Sequence, residues 1–114
     1  MKLLIVEENA AMRRLIVLLV QELNVEISEC DDGAKALDAF AEAQPDLVLL
    51  DLDLAQTDSL TVTRQIKSAY QQARVIIVAD DDDERLRAAA QSAGASDYVL
   101  KENLLDLRQI LQTQ

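Results

Sequence analysis

The chain has no histidine and no tryptophan, one cysteine, one proline and two glycines. Each scarcity removes a class of chemistry or of structure. Without histidine there is no Ser-His or Cys-His catalysis, no His-ligated metal and no phosphohistidine on this chain. The lone Cys30 excludes an internal disulfide and a Cys-based zinc site, and reads as a small, half-buried residue at a strand end. So few prolines and glycines leave little room for long loops or linkers. Aromatics make up 3% of the residues, so the core must be aliphatic. No apolar run reaches the ~18 residues of a membrane span, and the amino-terminal MKLLIVEE is too short and acid-ended for a signal peptide. The expected compartment is the cytoplasm, with no membrane partner.

What is present is aliphatic and acidic. The 114 residues suit one domain, 1–114, and half of them are apolar. Acids outnumber bases 21 to 11, a net charge of −10. Such a surface repels phosphodiester backbones, so no direct nucleic-acid binding is expected; it favours metal cations and basic partners.

Apolar strands and amphipathic segments alternate five times. Leu3–Val6 reads as a buried strand. Residues 9–23 carry Met12, Leu15, Ile16, Leu19 and Leu23 at helical spacing, with Asn9 as the cap. Val25–Glu29 alternates, as a more exposed strand does. Asp32-Gly33 opens a helix with Leu37 and Phe40 that Pro45 ends. Leu47–Leu50 is a third strand, and Asp58 or Ser59 caps a helix with Leu60, Thr63, Ile66 and Lys67. Val75–Val78 is a fourth strand. Asp81 or Asp82 caps a helix running to Ala93, with Gly94 at its left-handed stop. Tyr98–Leu100 is a fifth strand, and Asn103 caps a final helix with Leu104, Leu107, Ile110 and Leu111. This alternation predicts an α/β fold: a parallel sheet with helices on both faces.

Sites in open α/β sheets lie beyond the carboxyl ends of the strands. Those ends read Glu7-Glu8, Asp51 and Asp53 in QPDLVLLDLDL, Ala79-Asp80, and Lys101. Four carboxylates, Glu7, Glu8, Asp51 and Asp53, are thus expected beside one lysine. Like charges so close call for a neutralising cation, and oxygen-only donors suit Mg²⁺ first. A carboxylate at a strand tip beside a divalent cation and a lysine is arranged to attack a phosphoryl group. The acidic run at 80–84 reads as a solvated helix start that also opposes a phosphoryl donor.

Taken in order, LLIVEEN, PDLVLLDLDL, DSLTVTRQIK, VIIVAD and GASDYVLK resemble the receiver domain of two-component response regulators, of the chemotaxis-regulator type, over essentially the whole chain. The resemblance implies a doubly wound, flavodoxin-like sheet of strand order 2-1-3-4-5 with five helices. It implies that Asp51 accepts a phosphoryl group from a histidine kinase or phosphotransfer protein. Glu7 and Glu8 would hold Mg²⁺, or Mn²⁺, weakly, together with Asp51 and the backbone carbonyl of Asp53. Lys101 would pair with a phosphoryl oxygen, and Tyr98 would reorient on activation. Output would run through the fourth helix, fifth strand and fifth helix, including Arg85, Arg87, Asp97, Tyr98, Glu102, Asp106 and Arg108, with at most a weak homodimer. No enzymatic activity is implied.

The chain also departs from that pattern. The acidic pair, usually Asp-Asp or Glu-Asp, is Glu7-Glu8. The switch hydroxyl is replaced by Ala79, and an acid, Asp80, follows where a small residue is usual. Glu102 stands where a cis proline is usual, so a trans bond and a displaced Lys101 are expected. Ala55 and Ser59 replace the usual Pro and Gly of the loop. These departures favour a second reading, a pseudo-receiver that binds partners independently of phosphorylation. A third, an aspartate-nucleophile phosphatase, draws on the likeness of DLDLA to Asp-x-Asp-x-Thr. That motif normally sits on a first strand, whereas two βα units precede it here.

Overall fold

The computed structural model describes residues 1–113. Five strands, β1 (Lys2–Val6), β2 (Glu26–Cys30), β3 (Leu47–Asp51), β4 (Arg74–Ala79) and β5 (Asp97–Leu100), form one parallel sheet in the order β2-β1-β3-β4-β5. Helices α1 (Ala10–Val20), α2 (Ala36–Ala43), α3 (Ser59–Ala69), α4 (Glu84–Ala93) and α5 (Asp106–Gln112) connect and cover them. The register sets Val6 beside Leu50, Asp51 beside Val78 and Ala79 beside Leu100. The carboxyl ends of β1, β3, β4 and β5 therefore lie side by side, and the strand order reverses between β1 and β3.

The two faces of the sheet bury two aliphatic layers. Leu4, Val6, Val48, Leu50, Val75 and Ile77 pack with Phe40, Val62 and Ile66 of α2 and α3. Leu3, Ile5, Leu47, Leu49, Ile76 and Val78 pack with Ile16 and Val20 of α1 and Leu107 and Leu111 of α5. Alternate side chains of each strand point to opposite layers, which is why Leu3–Val6, Leu47–Leu50 and Val75–Ala79 are continuous apolar runs. At about 25 cal/mol per Å², each fully buried Leu or Ile contributes roughly 2 kcal/mol against chain entropy. Burying β3 from end to end is what carries Asp51 into the interior.

Several boundaries differ from the sequence reading, for local reasons. Asn9 does cap α1, accepting from the Met12 amide, but α1 ends at Val20 and a 3-10 turn covers Gln21–Leu23. Leu15 faces solvent rather than the core. Asp32 caps a 3-10 turn before α2, and Gln44 takes the left-handed stop ahead of Pro45. Asp58, not Ser59, caps α3. The α4 cap is Asp83, not Asp81 or Asp82, because its carboxylate accepts from both the Arg85 and Leu86 amides. Gly94 ends α4 at φ 111°, as predicted. Asn103 caps nothing: Lys101–Asn103 is itself a 3-10 turn, and α5 starts at Asp106 with no side-chain cap.

Candidate functional site

Asp51 is the last residue of β3 and is 5% exposed. Its Oδ1 accepts from the Asp53 amide at 3.1 Å and lies 3.1 Å from the Lys101 ammonium. Beneath it, Ser59 Oγ donates to the carbonyls of Asp51 and Leu52 at 2.5 and 2.9 Å. Its single O–H is shared between these two acceptors and pins the start of the β3–α3 loop to α3. Ser59, read in the sequence as a departure and a candidate cap, is instead a buried brace of the strand tip.

Lys101 follows β5 and reaches back across the sheet end. Its Nζ lies 3.1 Å from Asp51, 3.3 Å from Asp80 and 3.9 Å from Glu7. No cis peptide bond occurs among the described residues. The expected trans bond before Glu102 is therefore present, and the long stem of Lys101 delivers its ammonium to Asp51. Burial works to lower the Lys101 pKa, but the Asp51 hydrogen bond and the charges of Asp51, Glu7 and Asp80 outweigh it and hold the ammonium protonated.

The acidic pair divides. Glu7 is 1% exposed, and its carboxyl is pushed up to about 7, by burial first and by the adjoining Asp51 carboxyl next. Its Oε2 accepts from the Asn9 amide at 3.1 Å, while Oε1 is buried with no hydrogen-bond partner among the described residues. Glu8 takes a different path. Its two oxygens accept from the Ala55 amide at 2.8 Å and the Gly33 amide at 3.2 Å, tying the β1–α1 turn to the loops after β2 and β3. Gly33 itself is pressed by Leu54, which leaves no room for a Cβ there: one would meet Leu54 Cδ1 at 2.6 Å. The predicted gathering of four carboxylates at the lysine is therefore different in detail. Glu7, Asp51 and Asp80 touch Lys101, and Glu8 serves the loops. Asp53 lies against Asp80, and burial followed by that contact raises its pKa.

No three acidic side chains among the described residues stand together as a ready-made metal cluster. The donors nevertheless suit a hard cation. They are all oxygen, and Glu7 Oε1 is a buried lone-pair donor without a hydrogen-bond partner among the described residues, 3.9 Å from the Lys101 ammonium. Glu7, Asp51 and the Asp53 carbonyl are the donors that would hold the cation, while Glu8, also expected there, directs its two oxygens to the Gly33 and Ala55 amides.

Ala79 is fully buried at the end of β4. Tyr98 is half-buried. Its hydroxyl donates to the Asp81 carbonyl at 2.8 Å, and the Arg87 guanidinium lies 4.6 Å over its ring. Arg87 also pairs with Asp82 at 2.6 Å, Arg74 with Asp97 at 3.8 Å and Arg108 with Glu22 at 3.5 Å. Much of the charge on this face is thus matched within the chain. Cys30 ends β2, buried, with its thiol against the Asp32 carbonyl.

Residues 3–112 match the family model for the response regulator receiver domain. The chain belongs to that family. It is 33% identical over 101 residues to the chemotaxis protein CheY of Bacillus subtilis, spanning 88% of this chain and 84% of that protein. It is 34% identical over 100 residues to the transcriptional regulatory protein ResD of the same organism, but that match spans only 41% of ResD. Among solved structures it resembles the BeF3-activated amino-terminal receiver domain of Klebsiella pneumoniae RstA, with a TM-score of 0.88 and 27% identity over 97% of each chain. The receiver fold and strand order expected from the motifs are those found. A receiver domain of this family is a two-component signalling module. No helix among the described residues is long and apolar enough to cross a membrane.

Proposed function

We propose that this receiver accepts a phosphoryl group on Asp51 from the phosphohistidine of a histidine kinase or phosphotransfer protein, in a Mg²⁺-dependent reaction in the cytoplasm. One observation carries the reading: a buried carboxylate at the tip of β3 lies 3.1 Å from a lysine ammonium delivered from β5. An Asp51 oxygen forms the new O–P bond, the donor's P–N bond breaks, and its imidazole nitrogen leaves with the bonding pair and takes up a proton. Lys101 neutralises a phosphoryl oxygen as charge moves to the aspartyl phosphate. Glu7, Asp51 and the Asp53 carbonyl would hold Mg²⁺ or Mn²⁺, weakly. When bound, that cation supplies further charge neutralisation at the phosphoryl oxygens. The Asp53 amide and Ser59 hold the strand tip in place while the side chain reacts. The chain acts as a signalling module and not as a phosphatase, with output through α4, β5 and α5 and at most a weak, salt-sensitive homodimer on that face.

A second reading has its own support. Ala79 provides no hydroxyl to follow the phosphoryl group, and Tyr98 is already tied to Asp81. A pseudo-receiver that binds its partner regardless of phosphorylation would look like this. Incubation with Mg²⁺ and phosphoramidate, followed by intact mass, separates the two. A gain of one phosphoryl group supports acceptance; no gain under conditions that label a typical receiver supports the pseudo-receiver.

A further inference from the structure

Lys101 has three N–H donors and three carboxylate neighbours. Two of these, Glu7 and Asp51, are buried and fixed by the sheet. The third, Asp80, is different: its side chain is 59% exposed and approaches from the solvent side at 3.3 Å. It also lies against the Asp53 carboxyl, so it spans the mouth of the site from the β5 side to the β3 side. The Lys101–Asp80 edge borders an open pocket lined by Asn9, Ala11, Met12 and Leu15 of the α1 region. An incoming phosphoryl oxygen needs a donor from Lys101, and Asp80, at 3.3 Å, occupies the solvent side of that ammonium.

We propose that Asp80 is a gate on the acceptor site: its carboxylate occupies Lys101 in the resting protein and must swing out before a phosphoryl group can settle against Asp51. The inference rests on the phosphoryl-acceptance reading and adds a rate-controlling residue to it. Exposure makes the gate workable. An ion pair with one solvated partner is weak, so it opens readily, yet it sets a measurable handicap. Asp80 follows Ala79 directly, so gate and switch position share the end of β4. The gate also discriminates between donors. A small dianion meets Asp80 as a like charge, whereas a donor protein that brings a basic side chain to the α1 edge can draw Asp80 away from Lys101.

The test compares wild type, Asp80→Asn and Asp81→Asn, the last removing the same charge from the adjoining residue. Labelling by phosphoramidate with Mg²⁺ is followed by intact mass. Binding of inorganic phosphate to the unlabelled proteins is followed by NMR at the Lys101 and Asp51 amides. Asp80→Asn is expected to label three- to tenfold faster and to bind phosphate three- to tenfold more tightly, with Asp81→Asn close to wild type. Equal rates and affinities in wild type and Asp80→Asn would overturn the gate, as would an equal gain in Asp81→Asn, which would reduce the effect to general acidity. If no variant is labelled, phosphoryl acceptance fails, and phosphate binding alone decides the gate by the same comparison.

Discussion

Replacing Glu7 by Gln should stabilise the protein at pH 8 and do little at pH 5. Glu7 is buried beside Asp51, and one of its oxygens has no hydrogen-bond partner among the described residues. Its carboxyl is raised from the ordinary 4.5 to about 7. A carboxyl raised in the folded state binds its proton more tightly there than in the unfolded chain. Stability is therefore fullest below pH 4.5, falls as pH rises toward 7, and is flat above. The linkage relation makes this cost about 1 kcal/mol at pH 5 and about 3 kcal/mol at pH 8, a difference of roughly 2 kcal/mol. Gln is nearly isosteric, keeps an acceptor for the Asn9 amide and turns N–H donors toward Asp51. At about 4 °C per kcal/mol for a domain of this size, Tm should rise by roughly 8 °C more at pH 8 than at pH 5. Urea unfolding of wild type and Glu7→Gln at both pH values, in metal-free buffer, measures this directly. A Glu7→Gln effect that is the same at pH 5 and pH 8, or a loss of stability at pH 8, would refute the reasoning.

Three further outcomes are expected. Glu8→Ala leaves the Gly33 and Ala55 amides without their acceptor, so it should cost about 1–2 kcal/mol in urea unfolding and speed hydrogen exchange at Ala55; unchanged exchange there would contradict the loop role. Mg²⁺ at ten times its Kd should stabilise the wild type by about 1.4 kcal/mol, with a millimolar or weaker midpoint, and Glu7→Gln should weaken that binding; a melting temperature unmoved by saturating Mg²⁺ would count against the site. Beryllofluoride with Mg²⁺ should shift NMR signals around Asp51 and Lys101 but barely those of Tyr98 and α4, and Ala79→Thr should extend the response to Tyr98, because a hydrogen bond to a charged oxygen is worth about 1.5–3 kcal/mol of coupling; large shifts at Tyr98 in the wild type would sink the missing-switch account.

The fold was legible because its signals are redundant. The apolar runs of β1, β3 and β4 with amphipathic segments between them leave few alternatives to a parallel sheet, and Asp51 is marked by directly ending one such run, Leu47–Leu50. Caps were less legible. Asp80, Asp81, Asp82 and Asp83 are equivalent as a string, and only the path of the chain over β4 decides that Asp83 meets the first amides of α4. The α5 start was missed because Asn103 looks like a cap, whereas Lys101–Asn103 is a tight turn that brings Lys101 back over the sheet. The charged residues at the strand ends were legible in the sequence, but their wiring was not. Nothing in the string Glu7-Glu8 says that one carboxylate turns into the core and its neighbour ties two loops. Equally, a run of acids gives no sign that its first member, Asp80, reaches the lysine. The useful signal was there in outline: Asp80 immediately follows a buried strand end in the same sheet-edge row as Asp51 and Lys101.

The central claim is that Asp51 is the acceptor, and one measurement addresses it most directly: intact mass of wild type, Asp51→Asn and Asp53→Asn after incubation with Mg²⁺ and phosphoramidate. Only Asp51 ends the buried strand with its carboxylate against the Lys101 ammonium. The wild type should gain one phosphoryl group, Asp53→Asn should gain it more slowly, and Asp51→Asn should gain none. Full labelling of Asp51→Asn, or a wild type that takes up no phosphoryl group while a typical receiver does, would contradict the account.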